Sequence, residues 1–337
     1  MGKKELTAHF FAMEKLVGAD LVFLQREELE LALDAISEFK LDRNEEFSRF
    51  FFDGTDERCL MFQSDREDIP KPSRDTYVPG LFIKRRTSNY PYENNDTGEL
   101  FQIQLSSEEN ELAEVTFFII DTSLRVLMFI SNQYVGSVSS FESYINNRLK
   151  EYDANIKPLP FFIDESFVKF DFAPIKNETP EEDFNLMANI GILEMNIAGS
   201  LRLMESILET KKDDDLQTTL SSLAQFSQKA RAQTVKLVLS SSHGAEKLDK
   251  QIIKNIFNKM RYFFQKSEKN DKFMVKGRIN DEVRYLDLLN PNYFHKTSFA
   301  YDGKYIPING VFKRLYPIMD TYRSVFIEKN KFEENGK

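Results

Sequence analysis

Residues Glu114–Tyr134, EVTFFIIDTSLRVLMFISNQY, decide the fold class. Two runs rich in β-branched and aromatic residues, Leu112 to Ile120 and Arg125 to Ile130, flank the tight turn Asp121-Thr122-Ser123-Leu124. Runs of this length, bounded by this turn chemistry, read as antiparallel strands joined by a hairpin. A third run, Leu100 to Leu105, precedes them across the polar loop Ser106 to Asn110, so the stretch predicts an antiparallel meander.

Towards the N-terminus lie a strand around His9 to Met13, an apolar run from Leu21 to Leu24, and an acidic helix from Glu27 to Phe39 with Leu29, Leu33 and Ile36 on one face. Short β-rich runs follow at Phe50 to Phe52 and Cys59 to Phe62, and Asp65 to Pro79 reads as a surface loop. Beyond the meander, a helix from Phe141 to Leu149 and an extended run from Leu159 to Phe172 complete a β-rich α+β lobe over residues 1–176. Thr179-Pro180-Glu181-Glu182 then carries an N-cap, a first-position proline and a first-turn carboxylate. Met187, Ile190, Leu193, Ile197, Leu201, Met204 and Ile207 recur every three or four residues, which predicts a helix to about Thr210. A second helix opening at Asp213-Asp214-Asp215 would make residues 177–232 a central helical hairpin, or equally a dimer arm.

Residues 233–330 read as a second α+β lobe: strand Thr234 to Leu239, helix Glu246 to Gln265, strands Lys272 to Ile279 and Val283 to Leu289, a hairpin at Asp302-Gly303, and a closing helix Gly310 to Ile327. A charged tail, 331–337, is expected to fray. The predicted class is α+β throughout.

Composition bounds the partners. With 41% hydrophobic residues and 31 Phe among 337 residues, the chain has ample apolar surface to bury. Its net charge of −9 argues against indiscriminate coating of nucleic acid or anionic membrane. The single Cys59 has no internal disulfide partner and sits in an apolar run as a buried thiol. The N-terminus shows no signal-peptide stretch, and the longest apolar run, Val115 to Ile120, is far short of the roughly 20 residues that span a bilayer. A cytoplasmic location without membrane contact is expected.

One segment stands out by charge. Lys247 to Arg278 holds eight Lys and two Arg against two Asp and one Glu, a net of 10 − 3 = +7, leaving −9 − 7 = −16 for the rest of the chain. On a helical projection Leu248, Ile252, Ile256, Met260 and Phe263 gather on one side, and Lys247, Lys250, Lys254 and Arg261 on the other. Such a stripe can follow phosphates while Tyr262 stacks a base, which is a DNA- or RNA-binding reading. A solvated helix face balanced by the acidic lobe accounts for the same pattern.

Ser242 and His243, in the loop Ser240-Ser241-Ser242-His243-Gly244, lie where a strand hands over to a helix, and Asp281 and Glu282 offer carboxylates near a strand. Together they are the candidates for hydrolase or nuclease chemistry. The loop lacks the glycines of a nucleophile elbow or a phosphate-binding loop, and helix capping explains it equally. Three dispersed histidines and no CxxC pair predict no zinc site, and no glycine pattern points to a dinucleotide, so no metal or other cofactor is expected.

The segments Glu114–Tyr134, SSFESYINNRL at 139–149, KLVLSSSHGAEKLD at 236–249 and KFMVKGRINDEVRYLDLL at 272–289 are similar to uncharacterised bacterial domain-of-unknown-function proteins of antiphage defence islands. The resemblance implies a sensing or partner-binding role in antiviral defence and supplies no catalytic residue. The leading expectation is a non-enzymatic binding component that self-associates as a homo-oligomer and recruits a protein partner. Nucleic-acid binding through the basic stripe is the second reading, and a hydrolase or nuclease the third.

Overall fold

The computed structural model describes residues 2–17, 20–42, 44–53, 56–85, 91–93, 100–102, 113–132, 134–160, 169–198, 222, 225–226, 229–230, 234–241, 247–264, 271–301 and 307–329. Along the chain run β1 (Gly2–Val17), β2 (Asp20–Phe23), α1 (Arg26–Glu38), β3 (Phe51–Asp53), β4 (Asp56–Phe62), β5 (Tyr77–Arg85), β6 (Pro91–Glu93), β7 (Leu100–Gln102), β8 (Ala113–Asp121) and β9 (Val126–Ile130). There follow α2 (Val138–Asn155), β10 (Lys169–Pro174), α3 (Pro180–Leu186), β11 (Ala188–Ala198) and β12 (Thr234–Ser240). The last are α4 (Lys250–Phe264), β13 (Lys272–Ile279), β14 (Glu282–Asp287), β15 (Phe294–Tyr301) and α5 (Ile308–Glu328). Antiparallel sheets and separate helices make the fold α+β.

The chain forms two compact units, Met1–Ile175 with Lys296–Lys337, and Lys176–His295. The stretch from Lys296 onward, read from sequence as the end of a 233–330 lobe, thus groups with the first unit, because β15 pairs with β1. The Asp302-Gly303 turn and the 331–337 tail lie outside the described residues.

The first unit is built on a sheet of order β10-β1-β9-β8-β5-β4-β3, with β15 and β2 also on β1. Alternate residues face opposite sides. Phe11, Phe82, Phe118 and Phe129 join a core with Leu29 and Ile36 of α1 and Phe141 and Tyr144 of α2. On the other side Phe10 stacks on Tyr322 of α5 at 4.2 Å, and Phe117 meets Phe312 edge-on at 5.8 Å. With helices on both faces, β9 is buried at every position. Cys59 is buried too.

Two expectations change here. The hairpin β8–β9 is present, but the meander is not: β7 pairs with β6, and the other neighbour of β8 is β5. β5 was hidden by Pro79-Gly80, which reads as a turn. Pairing with β4 reaches only to Gly80, so the amide missing from Pro79 costs no bond on that edge. Gly80 is required by packing, since a Cβ there would lie 2.4 Å from the Phe118 ring and 2.7 Å from the Met61 carbonyl oxygen.

The second unit has a four-stranded sheet of order β12-β11-β13-β14. Leu193, Phe273 and Val275 pack with Phe184 of α3 and Ile253, Ile256 and Phe257 of α4. The long helix expected from Pro180 to Thr210 stops at Leu186, and Ala188–Ala198 is a central strand. The reason is a bulge between Ala188 and Ile192, with Asn189 at φ 49°. The bulge puts the buried Met187, Ile190 and Leu193 three residues apart, mimicking a helical period inside a strand. Gly277, opposite the bulge, leaves room for Met187, whose Cγ would lie 2.4 Å from an added Cβ. Of the rest of the predicted central hairpin, Ser222, Gln225, Phe226 and Lys229 are helical, and most of 199–232 lies outside the described residues.

Candidate binding surface

The basic helix α4 begins later than its sequence suggests. Asp249 is its N-cap, its Oδ1 accepting the amides of Gln251 at 2.7 Å and Ile252 at 3.0 Å. The helix is also turned relative to the projection. Ile253, Ile256 and Phe257 are buried, while Ile252, placed by sequence on the apolar side, is 58% exposed.

This rotation redirects the lysines. Lys250 donates from Nζ to the carbonyls of Asn185 at 2.5 Å and Met187 at 3.0 Å, and its ammonium lies 5.8 Å from the Phe184 ring centre. It neutralises the C-terminal end of α3, where orphan carbonyls carry partial negative charge. Lys254 reaches the same place, with Nζ 3.5 Å from Asn185 Oδ1. Lys247 precedes the helix and is exposed. The side chains of Arg261 and Tyr262 lie outside the described residues. The other exposed cations among the described residues of this segment lie on both faces of the sheet. Lys254 belongs to the helical side of the sheet, whereas Lys272 and Arg278 alternate with buried Phe273 and Val275 and so point to the opposite face.

Of the acid–base candidates, only Asp281 and Glu282 lie among the described residues. Ser242 and His243 lie outside the described residues. Asn280 and Asp281, at φ 50° and 64°, are the two central residues of the tight β13–β14 turn. Glu282 accepts from Arg284 Nη2 at 2.5 Å on the same strand face. Asp287 is buried, and its Oδ1 receives the amides of Leu289 at 3.0 Å, Asn290 at 3.2 Å and Phe273 at 3.3 Å. Burial pushes its carboxyl above the usual range, partly offset by those amides. His295 is held down to about 4 by burial, with Arg284 and Lys276 adding to the effect. Among the described residues no three His, Cys, Asp or Glu side chains group as metal ligands would.

What sequence reading missed is an edge. β12 pairs only with β11 among the described strands, and Val238 and Leu239 are 49% and 39% exposed. Its one cation, Lys236, is paired with Glu194 at 2.9 Å on the neighbouring strand. The signal was available: TVKLVLS is an apolar strand with a single charge, too little to guard an edge. No described helix is long and apolar enough to cross a membrane. Compared with known proteins, the chain matches no protein-family model and no curated protein.

Proposed function

We propose that the chain is a non-enzymatic binding component that self-associates through β12 and recruits a partner, in the antiphage-defence setting that the resemblance implies. The observation that carries the reading is the exposed, apolar, charge-neutralised edge of β12. An antiparallel edge strand is self-complementary about a two-fold axis, so a second copy is its simplest occupant. The structural duties of Asp281, Glu282 and Asp287 support a binding role over catalysis. Light scattering on wild type and on V238K/L239K tests it: wild type is expected as a dimer and the variant as a monomer with unchanged thermal stability. A monomeric wild type at about 100 μM, roughly a hundredfold above a micromolar Kd, would sink the reading.

A second reading, nucleic-acid binding, is favoured by Lys247 and Lys254, both exposed and outside any ion pair among the described residues. Charge reversal at Lys247 and Lys254 is then expected to weaken binding to DNA or RNA and flatten its salt dependence. Lys250 is left out of that test because its loss would disturb α3.

A further inference from the structure

The β1–β2 arm of the first unit carries a surface of a different kind. β2 pairs only with β1 among the described strands, and all four of its residues are exposed. Leu21 is 54% exposed, Phe23 47% and Val17 48%. The registers fix what lies beside them. Leu21 is opposite Leu16, and Phe23 opposite Glu14, on one edge of β1; Asp171 of β10 is opposite Glu14 on the other. Residues directly opposite share a face, so Leu16, Leu21, Phe23, Glu14 and Asp171 form one surface.

That surface pairs an apolar patch with an electrostatic need that Lys169 meets only in part, at Asp171. Glu14 and Asp171 are like charges directly opposite each other, an arrangement that costs stability. Glu14 is pushed above the usual carboxylate range by burial and then by Asp171. Lys15 alternates with Glu14 and pairs with Glu28 at 2.5 Å on the opposite face, while Lys169, opposite Leu16 on this face, pairs with Glu142 at 2.7 Å and reaches Asp171 only through its field, leaving Glu14 without a cation partner among the described residues. A cation laid over the two carboxylates would relieve their repulsion while apolar side chains beside it cover Leu21 and Phe23.

We propose that the β2–β1–β10 face docks an amphipathic, basic segment of a partner protein, its apolar side on Leu16, Leu21 and Phe23 and a Lys or Arg over Glu14 and Asp171. This rests on the partner-recruiting half of the function above and is independent of self-association through β12. The test is fluorescence anisotropy with a labelled amphipathic peptide of Leu and Lys, against the same peptide with Glu for Lys. The Lys peptide binds, E14Q/D171N weakens it about tenfold, and L21S/F23S removes binding with little change in melting temperature. E45Q/E46Q, two exposed acids elsewhere in the chain, leaves affinity unchanged and so separates the site from overall charge. Equal binding of the two peptides, or wild-type affinity in E14Q/D171N, would overturn the proposal. So would sedimentation of the chain with phosphatidylcholine vesicles in the absence of peptide binding, which makes the arm a membrane contact. A failure here with an intact dimer by light scattering removes this partner and leaves the β12 reading standing.

Discussion

β8 in the first unit and β14 in the second each end on a buried aspartate that gathers the amides of the turn after it. Asp121 Oδ1 accepts from Ser123 N at 3.0 Å, Leu124 N at 3.4 Å and Ser123 Oγ at 2.7 Å. Asp287 Oδ1 accepts from the amides two and three positions on, and from Phe273 across the sheet. The two differ at the second oxygen. Asp121 Oδ2 receives Arg323 Nε of α5 at 3.0 Å, whereas Asp287 has no ion-paired cation among the described residues. Amides fix a turn, but they offset only part of the cost of burying a charge.

The comparison breaks most sharply at Arg323. Arg323→Ala removes the ion-pair partner of the fully buried Asp121, and a loss of about 3–5 kcal/mol is expected in urea unfolding at pH 7. Adding Asp121→Asn to that variant should restore part of it, and an undiminished loss would refute the pairing argument.

His295 of the second unit gives the next largest effect. Its folded value of about 4 lies below the ordinary 6.5. The unfolded chain therefore takes up the proton first, so this stabilisation is complete above pH 6.5 and is lost as pH falls towards 4. The shift corresponds to at most about 3 kcal/mol, and His295→Gln should flatten the stability profile across that window.

The glycines compare the packing of the two units. Gly80→Ala meets both a ring and a backbone oxygen and is expected to cost about 2–3 kcal/mol. Gly277→Ala meets mainly the flexible Met187 and should cost about 1 kcal/mol. Equal losses by calorimetry would show that the bulge backbone, not Met187, limits the space.

The smallest effect belongs to Asp287. A raised carboxyl value means that its contribution is present at low pH and declines as pH rises through the folded value. Asp287→Asn keeps an acceptor for the three amides and discards the charge, so stability at pH 7 should change by less than about 1 kcal/mol, with the pH dependence reduced. A loss as large as that of Arg323→Ala would put Asp287 in the same class as Asp121.

Elements whose own pattern matched their environment were legible in the sequence. β8 and β9 announce themselves by continuous apolar runs around a turn, and β13 and β14 by short runs of strand-forming residues on either side of Asn280-Asp281. The rest depended on partners distant in sequence. Nothing local in Tyr77–Arg85 reveals that Pro79 lies past the end of β4, and nothing in 187–193 separates a bulged strand from a helix until Gly277 is set opposite it. Of the candidate sites, the basic character of 247–278 was readable, but the use of Lys250 was not, because the carbonyls it caps belong to α3, more than 60 residues earlier.

The two-unit division bears on how the protein is made. The second unit is inserted between β10 and β15, both of which pair with β1, and its own ends are joined by the Lys176–Asn292 bridge. A nascent chain leaving the ribosome presents β1 before the second unit, and β15 with the α5 residues that cover Phe10 after it. The inserted unit has its described strands β11 to β14 in hand before β15 and α5 are made. It is therefore expected to fold while the first unit, begun earlier, still waits for its closing segment.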